Sequence, residues 1–216
     1  MNTGTIERYK HIRGVARKYL SSLVSNKNYR DVDPIMVGKL LGMYHRGKKM
    51  IFQSETEISV MMDFTLNERL HDGKSIIDRE LERNHDLNQE QIEILKAYQS
   101  GYTSPFQVLG TKPSQSSIHL YDLIRDEDKD IVDVGLSRTV STSHALFFRI
   151  VSFADFSMNS GASFVFNRRM QERLTRRYRA ELRTDFVMDK SITRFLIFQR
   201  LNRELGEALD LIDLSD

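Results

Sequence analysis

Residues 104–166 read SPFQVLGTKPSQSSIHLYDLIRDEDKDIVDVGLSRTVSTSHALFFRIVSFADFSMNSGASFVF. Within them lie five short runs rich in β-branched and aromatic residues: PFQVLG, SSIHLYDLI, DIVDV, HALFFRIVSF and ASFVF. TKPSQ, RDEDKD, SRTVST and NSG separate them and carry turn-forming residues. This pattern predicts a five-stranded antiparallel β-unit or small barrel. HALFFRIV is almost wholly apolar, which places it centrally.

Outward from this unit the apolar spacing turns helical. On the N-terminal side, residues 5–24 form one helix. Pro34 opens a second with Asp33 as its cap, and HRGKKM closes that segment as a basic run. Ser54 and Glu57 cap a third, residues 74–83 form a fourth, and Asn88 with Gln91 caps a fifth that Gly101 ends. On the C-terminal side, one helix runs from Asn167 to about Arg183 and another from Ser191 to Ile212. The fold class is therefore α+β: a helical region at 1–103, a β-unit at 104–167, and C-terminal helices at 168–216 packed on the body. No linker is evident, so all three can share one compact domain.

The 216 residues include no cysteine, which excludes disulfides and thiolate zinc sites and fits a reducing compartment. The polar N-terminus is no secretory signal, and no apolar run reaches the roughly 18 residues of a membrane span. A cytoplasmic protein without membrane contact is expected.

Order and texture in residues 61–152 carry a resemblance. MDFTL, DGKSIIDRELER, LNQEQIEILKAY, SPFQVLG, IHLYDLI, IVDVGLS and LFFRIV follow one another as in a group of uncharacterised bacterial proteins, some of which bear a C-terminal cysteine-rich zinc motif named SEC-C. The resemblance implies helices followed by a small β-unit. It implies no activity, and the zinc motif itself is absent.

No catalytic signature accompanies this architecture. The histidines, His11, His45, His71, His85, His119 and His144, never fall at ligand spacing, so no metal site or cofactor is expected. Asp126 to Asp130 reads as an exposed hairpin tip, and it lacks the offsets and central glycine of a calcium loop. Asp63, Asp78 and Glu80 lie on helices without the companions of a nuclease. Phosphate-cradling glycine motifs are absent. Ser137, Ser141 and Ser143 beside His144 do not by adjacency make a triad.

Charge supplies the functional signal. The net +2 hides blocks of +8 (residues 1–52), −6 (53–103), −2 (104–167), +7 (168–203) and −5 (204–216). On a helical wheel Arg168, Arg169, Arg173, Arg176, Arg177, Arg179 and Arg183 oppose the apolar stripe of Met170, Leu174, Tyr178 and Leu182, with Glu172 the one acid among them. Like charges at i,i+4 each cost about 0.2–0.5 kcal/mol, so an anion is expected opposite. Nucleic acid phosphate, an acidic protein, and the chain's own tail at 204–216 or acidic helices at 78–93 all qualify, with self-masking the favoured choice. In the last helix Phe195, Phe198, Leu201 and Leu205 belong to an apolar face that is core or, alternatively, a partner or dimer contact. The reading that follows is a non-enzymatic interaction or regulatory module with a protein partner or self-association. Nucleic-acid binding through residues 168–183 and the basic N-terminus comes second, and an enzyme with a site assembled only by the fold comes third.

Overall fold

The computed structural model describes residues 3–43, 45–46, 49–52, 54–83, 86–182 and 189–207. The fold is α+β, with helices on both sides of a five-stranded antiparallel sheet. In α1 (Thr3–Val24) the buried residues Tyr9, Ile12, Ala16, Leu20 and Leu23 recur every three to four positions, the stripe that a helix lays against a core. Helix α2 (Pro34–Leu40) starts as its proline dictates, with Asp33 Oδ1 accepting from Ile35 N at 2.9 Å. Gly42 then turns the chain at φ +68°, a conformation that favours glycine. The basic run expected to close this segment contributes instead to a two-stranded hairpin, β1 (His45–Arg46) with β2 (Lys49–Met50).

Ser54 caps α3 (Glu55–Asn67) through Glu57 N. Ser75 and Asp78 hold each other at the start of α4 (Ile76–Arg83), so that helix begins two residues later than its sequence suggests. Asn88 and Gln91 form a reciprocal box at α5 (Gln89–Gln99), with both bonds at 2.9 Å. Gly101 follows, but not for a left-handed turn: a Cβ there would lie 3.0 Å from the carbonyl oxygens of Ile150 and Tyr98. The glycine lets backbone approach backbone.

The sheet comprises β3 (Tyr102–Lys112), β4 (Ser117–Asp122), β5 (Glu127–Val132), β6 (His144–Ser152) and β7 (Ser157–Asn167), in the order β5-β4-β3-β6-β7. Its edges are β5 and β7. Two segments read as turns prove structured. Glu127 to Asp130 lies in β5, and Leu136–Thr139 forms the short helix α6. NSG sits inside β7, where Gly161 at φ +120° accompanies a register break, the mark of a bulge. Pro105 is tolerated in central β3 because its carbonyl accepts from Leu123 N, just past the end of β4. Its missing N–H faces the same flank, where the ladder has run out.

β6 is buried on both faces, which explains its nearly continuous apolar text. Leu146, Phe148 and Ile150 join Phe106, Ile118, Ile131 and Val165 in one core cluster, together with Leu136 of α6 and Val140 just after it. Ala145, Phe147 and Val151 face the helices. That second core draws residues from α1, α3, α4, α5, β6, β7, α7 (Gln171–Glu181) and α8 (Lys190–Leu205). The last helix stops at Leu205, short of the expected Ile212. Gly206 is extended and bridges Phe166, and Glu207 N donates to Val165 O at 2.8 Å. The remainder of that expected helix, with most of the acidic tail, lies outside the described residues. Among the described residues no helix is long and apolar enough to cross a membrane.

Candidate functional site

Asn167 Oδ1 accepts from Arg169 N at 3.0 Å and starts a 3-10 turn, Arg168–Met170, that runs into α7. Leu174 and Tyr178 anchor α7 in the core. The arginines then divide into two classes. Along the seam with α8 and on α8 itself they are matched: Arg177 of α7 bonds Glu204 at 2.5 Å and approaches Glu181 at 3.9 Å, while on α8 Arg200 pairs with Glu181 and Arg203 with Glu57 at 3.3 Å. The hydrogen bond from Arg177 draws the Glu204 carboxyl below its ordinary range, and Arg173 adds to this through space. Those facing outward are unmatched. Arg169, Arg173, Arg176 and Arg179 are exposed, and among the described residues no acid forms a salt bridge with them. Arg168 is exposed too, and its guanidinium reaches Thr142 O at 3.3 Å. Arg183 lies outside the described residues. Of the expected self-masking, then, the described part amounts to one latch, Arg177 with Glu204 and Glu181. Gly206 and Glu207 pair antiparallel with the end of β7, and the rest of the tail lies outside the described residues.

The candidate partner face of α8 is spent inside the molecule. Phe195, Phe198 and Leu201 are at most 3% exposed, and Leu205 is half-buried. Phe198 stacks on Phe147 at 4.2 Å between ring centres, and Phe195 meets Phe64 edge-on at 5.1 Å. Phe195, Phe198 and Leu201 are core and offer no surface to a second chain, and Leu205 is packed against that core with part of its side chain exposed.

Adjacent serine and histidine do meet, without the geometry of a nucleophile. Ser141 and Ser143 place Oγ 3.2 and 3.4 Å from His144 Nδ1, but Ser141 N already donates to that nitrogen at 3.0 Å. A lone pair engaged by a backbone N–H cannot take a hydroxyl proton. Ser137 is buried and donates to Val134 O. His119 lies beside Asp130, His71 beside Asp31 and Asp72, and His11 beside Glu90, all as exposed pairs. His45 and His85 provide no described side chain. Among the described residues no three His, Asp or Glu side chains are grouped to hold a metal ion.

One ionic group escaped the sequence reading. Arg149, on β6, is 3% exposed and lies between two buried carboxylates of α3 and its cap: Nε is 3.2 Å from Asp63 Oδ2, and Nη2 is 2.5 Å from Glu68 Oε1. Ser191 Oγ also donates to Glu68 Oε1, at 3.2 Å. Burial holds the Glu68 carboxyl above its ordinary range despite the arginine. The signal was legible: an arginine inside an otherwise apolar central strand must be paired if it is buried. This group forms part of a cavity of about 240 Å³ between α3, α4, α5, β3, β6 and the start of α8.

No curated protein and no solved structure matches the chain. The resemblance to SEC-C-bearing proteins receives no support from the comparisons. A family profile matches instead, described as a family of unknown function and spanning residues 3–211, nearly the whole sequence. The chain belongs to that family, DUF7986.

Proposed function

We propose that the protein is a binding module that engages the phosphate backbone of nucleic acid through the outward arginines of α7 and the 3-10 turn that leads into it. The observation that carries this reading is the contrast between matched and unmatched arginines. Arg177, Arg200 and Arg203 all have carboxylates, while Arg169, Arg173, Arg176 and Arg179 share one exposed ridge without any among the described residues. Holding guanidinium groups at i,i+3 and i,i+4 costs a few tenths of a kcal/mol per pair, a cost that an anionic polymer reverses. Arg169 to Arg179 spans about 15 Å at 1.5 Å per residue, or roughly four nucleotide steps at 3.4 Å. Guanidinium groups also match phosphate oxygens in bidentate geometry. No aromatic side chain interleaves with the ridge and no element is placed to read base edges, so the binding is indifferent to sequence.

The protein should therefore bind duplexes of unrelated sequence alike, with affinity falling steeply as salt rises. Four phosphate contacts correspond to a slope of log K on log salt of about −3 to −4. Changing Arg169, Arg173, Arg176 and Arg179 together to Ala should flatten that slope and abolish measurable binding at moderate salt. Fluorescence anisotropy on labelled duplexes at several salt concentrations reads both quantities. Equal binding by the wild type and the four-Ala variant would overturn the reading. No binding by either would turn attention to an acidic protein partner.

A further inference from the structure

We propose that the cavity beside Arg149 binds a small zwitterion, an amino acid presenting one carboxylate and one ammonium group. Its lining carries three guanidinium groups, Arg69, Arg149 and Arg194, against three carboxylates, Glu68, Asp78 and Asp189. A balanced wall of separated charges suits a ligand that carries both signs, and about 240 Å³ leaves room for little more than one such molecule.

The hydrogen bonds already made show which groups remain. On the donor side, Arg149 is spent on Asp63 and Glu68. Arg194 uses Nε on Tyr178 Oη at 3.1 Å and Nη1 on Thr103 O at 2.8 Å, which leaves Nη2. Arg69 is exposed and, among the described residues, reaches only Asp78, at 3.9 Å. Two cationic donors are thus open to a carboxylate, whose oxygens match the guanidinium fork. On the acceptor side, Asp78 is fully engaged: Oδ2 takes Ser75 N and Oγ, and Oδ1 takes Gln99 Nε2. Asp189 caps Ser191 N at 2.7 Å. Both hydrogen bonds that described residues make to Glu68 go to Oε1, so among these residues its second oxygen is open. Asn67 also lines the cavity, and its buried Oδ1 has no partner, although its amide nitrogen donates to Asp63. A buried acceptor left unpaired is destabilising and calls for an occupant. The open acceptors, one of them anionic, match an ammonium.

Isothermal titration calorimetry of the full chain against the standard amino acids tests this, with two control series: α-hydroxy acids, which lack the ammonium, and simple amines, which lack the carboxylate. At least one amino acid should bind saturably, and its hydroxy-acid and amine counterparts should bind about tenfold or more weakly, the worth of one charge-assisted hydrogen bond. Arg69→Gln and Asn67→Ala should each weaken binding by a similar factor. Arg69 is exposed, so its variant should keep the wild-type denaturation midpoint. The proposal fails if no amino acid binds, if the hydroxy acid or amine binds as tightly, or if neither substitution changes the affinity.

Discussion

Replacing Arg149 with leucine should lower stability by about 3–5 kcal/mol, because it strands two carboxylates in the interior. Asp63 and Glu68 are 6% and 2% exposed, so water cannot stand in for the lost guanidinium. The loss should also depend on pH, with a definite sign. Glu68 already titrates above its ordinary range because it is buried, and removing Arg149 takes away the groups that pull it back down. A carboxyl whose folded pKa is raised favours folding fully below the unfolded value, about 4.3, and loses that contribution as pH rises through the folded value. The deficit of the variant relative to wild type should therefore shrink on acidification from neutral pH. Asp31, Asp78 and Glu204 titrate below their ordinary range and drift the other way, but they do so in both proteins and cancel in the difference. Urea denaturation of both proteins across pH measures it, and a deficit that stays constant or grows on acidification would contradict the account. Combining Arg149→Met with Asp63→Leu and Glu68→Leu should recover much of the loss, since an apolar replacement of a whole buried ion group is often neutral or stabilising.

Phe195→Ala should be as costly by a different route. The Phe195 ring meets Phe64, Phe147 and Phe164 edge-on at centroid distances of 5.1, 6.0 and 5.9 Å, so its removal opens a void between α3, β6, β7 and α8. Such truncations cost about 3–5 kcal/mol. For a chain of this length that corresponds to a melting temperature lower by about 6–20 °C. Leu182→Ala provides the contrast, because Leu182 is 42% exposed and should change stability by no more than about 0.5 kcal/mol. Differential scanning calorimetry of the two variants separates core from surface. A Phe195→Ala midpoint equal to that of wild type would mean that α8 does not hold the sheet as described.

What the sequence made legible was local. Asp33, Ser54, Asn88 and Asn167 announce helix starts because a capping side chain bonds within three residues of itself, and the strand texture from Ser104 onward follows from a period of two. The outward arginines of α7 were legible for the same reason, as a wheel needs only one helix. What stayed hidden was assembled across distance. The cavity beside Arg149 takes residues from six elements, and neither spacing nor composition brings Asn67, Asp78 and Arg194 together. From sequence alone the acidic run at 127–130 reads as part of a hairpin tip because its charges mask the strand period. It nevertheless pairs residue by residue with β4, His119 opposite Asp130 and Tyr121 opposite Asp128, because the flanking Ile118, Leu120 and Ile131 lock the register from the buried face.

That same run lies on an edge of the sheet, where unpaired backbone groups are a template for another chain. Asp128 and Asp130 are exposed along β5, with Glu127 between them and the turn. Two molecules that approached through this edge would set carboxylate against carboxylate before any ladder bond could form, and like charges directly opposite oppose strand pairing. Acids on this strand thus set a charge barrier against one copy adding its edge to another's.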